Sequence, residues 1–103
     1  MLLSANGQNI YPEEIESRLN NLPYISESVV VLRENRLIAL VHPDMQAVKS
    51  ENISPEKLRE IMNENKGILN KSVAQYERIS EIQIREEEFE KTPKKSVKRF
   101  LYS

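Results

Sequence analysis

Two apolar runs, Ser28-Val29-Val30-Val31-Leu32 and Leu37-Ile38-Ala39-Leu40-Val41, stand on either side of the polar break Arg33-Glu34-Asn35-Arg36. Each run is short and rich in β-branched residues, so each reads as a strand, and the break between them predicts an antiparallel hairpin. Neither run alternates. Both are nearly continuous in apolar residues, which calls for cover on both faces of the hairpin. Only 39% of the 103 residues are hydrophobic and 30% are charged, so the cover has to come from few apolar side chains. A chain of this length holds one domain with a single core.

The flanking segments supply that cover. Ala5-Asn6-Gly7-Gln8-Asn9 is turn chemistry, because Asn and Gly tolerate positive φ. Pro12 reads as the first residue of a helix, where its missing N–H is harmless, and Glu13, Glu14 and Glu16 favour the positive end of the helix dipole. Ile15, Leu19 and Leu22 form one buried stripe at helical spacing, and Pro23 ends the helix. After the hairpin, residues 44–53 look like a loop. Ser54-Pro55-Glu56 is a helix start, followed by a stripe of Leu58, Ile61, Met62, Leu69, Val73 and Tyr76. Asn65 and Gly67 interrupt this broadly helical stripe, which leaves a kink or two shorter helices open as alternatives to one continuous helix. Ile79, Ile82 and Ile84 belong to a third strand, and Val97, Phe100 and Leu101 fall at helical spacing after a Thr92-Pro93 turn. The fold class is α+β: a small three-stranded sheet with packed helices, in the order α-β-β-α-β-short α.

Composition excludes several chemistries from this chain. With no Cys it has no disulfide framework, thiolate metal site or cysteine nucleophile. With one His, His42, it has no site that needs two imidazoles, and a lone His at a strand end is ordinarily a satisfied side chain. Neighbouring acids such as Glu13/Glu14 and Glu86/Glu87/Glu88 read as solvated faces, since sequence neighbours do not face each other. No apolar run is long enough to span a bilayer.

The net charge of −1 hides a split. Residues 1–90 hold 16 acidic and 10 basic groups, a balance of −6, whereas residues 91–103 hold Lys91, Lys94, Lys95, Lys98 and Arg99 with no acid, a balance of +5. Such a positive field suits phosphates of a nucleotide, a nucleic acid or a lipid headgroup. No aromatic is interleaved among Lys91–Arg99 and Phe100 only adjoins them, which disfavours nucleic acid. One reading is therefore a small binding module whose basic tail grips nucleic acid or an anionic membrane; a solvated tail screened by the adjacent acids is the plainer one.

Two further segments point elsewhere. Gly7-Gln8-Asn9-Ile10-Tyr11-Pro12-Glu13-Glu14-Ile15-Glu16 resembles the start of the C-terminal domain of adenylate-forming enzymes, the acyl-CoA synthetase superfamily. Far downstream, Phe89-Glu90-Lys91-Thr92-Pro93 and Lys98-Arg99-Phe100-Leu101-Tyr102 resemble that domain's closing motif. The resemblance covers essentially the whole chain, and its wording is most similar to long-chain fatty acyl-CoA ligases.

The resemblance implies a mobile lid, residues 1–103, that rotates between two half-reactions and is inactive in isolation. A carboxylate and ATP give acyl-AMP and pyrophosphate; CoA then takes the acyl group as a thioester. A large N-terminal adenylation domain of the same polypeptide would hold ATP, Mg²⁺ and the fatty acid, and the family's hinge would lie upstream of Met1. The implied location is cytoplasmic, with peripheral membrane contact of the full enzyme.

The resemblance places the Asn6-Gly7 loop beside the path of the CoA pantetheine, where a residue without Cβ lets backbone approach a thin ligand; a purely turn-forming Gly7 is the alternative. It also implies a lysine that reaches the forming acyl phosphate. The family's lysine position, four residues after Thr92 and three before Arg99, is Ser96 in this chain. Either Lys95, with Lys94 and Lys98 as further candidates, serves after a local shift in register, or the parent enzyme uses another residue or adenylates slowly.

Overall fold

A computed structural model describes residues 2–3, 7, 9–85, 87–90 and 93. The hairpin dictated by the apolar runs forms its centre. Strand β3 (Ile25–Arg33) and strand β4 (Arg36–Pro43) pair antiparallel, with Val30 opposite Ala39 and Arg33 opposite Arg36. The turn that joins them places Glu34 and Asn35 at positive φ, 50° and 61°, the conformation that matches the twist of the flanking strands. Both strands run longer than their apolar cores, and a bulge between Ile25 and Glu27 absorbs the irregular start of β3. Strand β5 (Ile79–Ile84) joins the other side of β4, parallel to it, so the order is β3-β4-β5.

Ahead of this sheet, β1 (Leu2–Leu3) and β2 (Asn9–Ile10) make a two-residue ladder that brackets the opening turn. Helix α1 (Pro12–Leu19) follows, with Pro12 at its first position and Ile15 and Leu19 buried. It stops at Leu19, earlier than Pro23 would require; Leu22 lies past the helix but still packs against the core. Residues 44–53, expected to be a loop, contain α2 (Met45–Ser50). Asp44 caps it by accepting the Ala47 N–H at 3.2 Å. With Val48 as its buried residue, so short a helix has no stripe to betray it.

Helix α3 (Pro55–Ser72) runs unbroken through Asn65 and Gly67. Gly67 lies on the exposed face, where lacking a side chain costs only about 1 kcal/mol. Asn65 is 2% exposed and spends its amide on the Pro23 carbonyl at 2.9 Å, so it does not compete with its own helix. Val73 and Tyr76 leave the stripe: they fall beyond the helix, Tyr76 in a 3₁₀ turn at Gln75–Glu77. A parallel β4–β5 pair needs a crossover, and α3 supplies it. At its end Asn70 grips β5 through both amide atoms, Nδ2 donating to the Ile79 carbonyl at 3.1 Å and Oδ1 accepting the Ile79 N–H at 2.9 Å.

The strands alternate as a two-faced sheet must. Val30, Leu37, Ala39 and Val41 join Ile15, Leu19, Leu58, Met62 and Leu69 from the helices in the main core. Val29, Val31, Ile38 and Leu40 point the other way, and Phe89, 3% exposed, closes over them. The expectation of cover on both faces is met, on the second face by an aromatic side chain beyond β5. The short terminal helix expected around Val97, Phe100 and Leu101 lies outside the described residues.

Candidate functional site

Gly7 occupies the turn between β1 and β2 at φ +78°. That conformation is costly for a residue with a Cβ, by roughly 1–2 kcal/mol. A Cβ built there meets no atom within 4 Å, so Gly7 faces open space and steric crowding is not what selects glycine. Ile10, fully buried, ties the end of this loop into the core two residues before Pro12 starts α1. Asn6, the other residue implicated in this loop, lies outside the described residues.

What holds α1 against the sheet is an acid that the sequence assigns to the helix dipole. Glu16 is 8% exposed, and its Oε2 accepts the Val30 N–H at 2.7 Å. β3 is an edge strand, and this carboxylate satisfies a backbone donor on that edge. Beside it Ser28 Oγ donates to Asn20 Oδ1 at 2.9 Å. A signal was present: Glu16 adjoins Ile15 and precedes Leu19 by three positions, within the buried arc of the helix.

The closing motif begins on equally firm ground. β5 ends at Ile84, the Arg85 N–H donates to the Val41 carbonyl at 2.7 Å, and the chain then places Phe89 in the second core. Pro93 sits in an exposed turn. Phe89 therefore anchors the segment that leads into the motif. Lys91, Thr92, Lys94, Lys95, Ser96, Lys98 and Arg99 lie outside the described residues.

His42 is buried, with Nδ1 3.1 Å from the Arg85 carbonyl. Since a carbonyl only accepts, Nδ1 carries the proton in this contact. It is a satisfied core histidine. Among the described residues no cluster of acids or imidazoles could hold a metal ion, and no helix is long and apolar enough to cross a membrane.

Tyr24, at φ 64° between α1 and β3, is held above the ordinary tyrosine value of 10.0 by its hydrogen bond to Glu51, then by burial and by the charge of that carboxylate. A phenol that is harder to ionise when folded adds stability below pH 10.0 and loses it as pH rises through the folded value. Denaturation midpoints are expected to fall with rising pH in that alkaline range, and Tyr24→Phe to flatten the part of the slope due to this group. An unchanged slope in Tyr24→Phe would count against the Glu51 bond.

A mixed three-stranded sheet, helices on one face, an aromatic plug on the other and a glycine turn ahead of the first helix define a small α+β domain. The chain belongs to the family of AMP-binding enzyme C-terminal domains, whose model matches residues 1–102. No curated protein sequence matches it. Among solved structures, the adenylation domain of a carboxylate reductase from Mycobacterium chelonae superposes with TM-score 0.82 at 17% identity, over 97% of this chain and 17% of that one. An acyl-CoA synthetase from Brucella canis gives 0.73 at 24% identity, over 98% and 18%. A fatty acyl CoA synthetase from Mycobacterium tuberculosis gives 0.63 at 23%, over 98% and 18%. These likenesses concern the fold, and the chain spans less than a fifth of each of those proteins.

Proposed function

We propose that this chain is the mobile C-terminal lid of an AMP-forming acid–thiol ligase that converts a long-chain fatty acid, ATP and CoA to acyl-CoA, AMP and pyrophosphate. The observation that carries the reading is the family match over residues 1–102. The long-chain assignment rests on the wording around Asn9-Ile10-Tyr11-Pro12 and Lys98-Arg99-Phe100-Leu101-Tyr102. A large N-terminal adenylation domain would bind the fatty acid, ATP and Mg²⁺, the last neutralising phosphate charge as pyrophosphate leaves. On this reading the enzyme works in the cytoplasm, with peripheral contact to a membrane.

Each end of the lid serves one half-reaction. Lys95, or Lys94 beside it, stabilises the negative charge that develops as carboxylate attacks the α-phosphate. The Asn6-Gly7 loop then borders the thiol's path as CoA attacks acyl-AMP. The positive φ and open surroundings of Gly7 support that role, since backbone free of side chain lets a thin ligand pass closely.

The test is Gly7→Ala in the complete polypeptide, with Gly7→Asn as control because Asn tolerates the left-handed conformation. Thioester formation from supplied acyl-adenylate is expected to fall in both variants, because each adds a Cβ to the CoA path. Pyrophosphate release is expected to stay within about twofold of wild type, since strain of roughly 1–2 kcal/mol in a surface turn leaves the core intact. Equal loss in both half-reactions, or loss in Gly7→Ala alone, would reduce Gly7 to a turn former. Failure of the unaltered polypeptide to make acyl-adenylate from any fatty acid would remove the ligase reading itself.

A further inference from the structure

Between α2, the first turns of α3 and the end of β5 the surface folds into a half-open cavity of about 520 Å³. Pro43, Met45, Val48, Ile53, Leu58 and Ile84 line it, and Val48 and Leu58 are 8% and 7% exposed. The size suits a small organic ligand, and the walls are mostly apolar. One charged side chain stands on this lining, Arg59. The same side chain lines the adjoining cavity of about 350 Å³ that continues along α3 past Met62 toward Ile82.

Arg59 is exposed and makes no hydrogen bond or ion pair among the described residues. Its helix neighbours Lys57 and Glu60 pair with each other at 3.7 Å. Toward the described residues the guanidinium is therefore an unspent, planar, bidentate donor at the rim of a mostly apolar trough. Among the described lining residues a nucleotide would find mostly apolar walls, a polyanion a single cation, and a neutral lipid no use for the arginine. Charge and shape complementarity select a linear alkyl chain with one anionic head.

We propose that this trough binds a free single-chain carboxylate, the alkyl chain along Val48, Leu58 and Ile84 and the head on Arg59. The proposal does not rest on the ligase reading. Bound there, the ligand would brace α2, α3 and β5 against one another, three elements that otherwise enclose open space.

Dodecanoate, kept below its micelle-forming concentration, is the probe, with dodecanol as its uncharged match. Methyl NMR of this chain is expected to show saturable one-to-one binding of dodecanoate, with shifts centred on Val48, Leu58 and Ile84. Arg59→Gln, an exposed helix substitution that should fold normally, is expected to weaken dodecanoate by roughly 10-fold or more, the scale of a charge-assisted hydrogen-bonded pair, and to leave dodecanol unchanged. Met45→Trp, which fills the trough, is expected to weaken both. The proposal is overturned by shifts centred elsewhere, by equal weakening of both probes in Arg59→Gln, or by no saturable binding. It is also overturned if the same methyls shift with protein concentration alone, which would seat a second copy there, or respond to anionic vesicles but not to free dodecanoate.

Discussion

Replacing Lys95 by alanine in the complete enzyme is expected to slow pyrophosphate release by ~10²- to 10³-fold, the usual cost of one lost electrostatic stabiliser at a developing charge. On the proposed reading the resemblance puts the lysine position at Ser96, and a serine has neither the charge nor the reach for an acyl phosphate. Lys94 and Lys95 immediately precede it, and a flexible four-carbon stem can make up a one-residue shift. Thioester formation from supplied acyl-adenylate is expected to be unaffected, because the phosphoryl step is then bypassed. Lys94→Ala, assayed in parallel, assigns the role if Lys95→Ala leaves pyrophosphate release unchanged. If neither variant slows it, the parent enzyme does not use a lysine from this pair.

Truncating Phe89 to alanine is expected to cost about 3–5 kcal/mol, the range for a fully buried Phe. Phe89 alone joins Val29, Val31, Ile38 and Leu40 in the second core among the described residues. Without it, four aliphatic side chains on the sheet's far face lose their cover, against a total stability of roughly 5–15 kcal/mol for a small domain. The urea midpoint reports the loss, and Phe89→Leu, which keeps most of the volume, is expected to recover more than half. A Phe89→Ala domain as stable as wild type would mean that something else covers that face. The same anchor precedes Pro93 by four residues, so in the complete enzyme adenylation should suffer more than thioester formation.

Much of the fold was legible because local and tertiary demands agree. The hairpin, the helix starts at Pro12 and Pro55 and the third strand all combine apolar pattern with a capping or turn signal. The departures share a cause. α2 buries little, so it leaves no periodic trace. The helix runs unbroken past Asn65, where the sequence left a break open, and its amide is committed to the Pro23 carbonyl, a partner 42 residues away. Glu16 looked like any acid of a first turn until a strand edge supplied its partner.

For the site, the sequence by itself determined the glycine at the opening turn, the basic closing segment and a serine where the resemblance implies a lysine, because residue identity alone sets backbone freedom and charge. Only the tertiary structure decided that Gly7 sits at positive φ with open space around it, that Phe89 seals the second core, and that Arg59 stands at an apolar trough with no side-chain partner among the described residues. Those properties depend on where chain-distant atoms come to rest. Burial and pairing belong to neighbourhoods in space, and one dimension of sequence does not contain them.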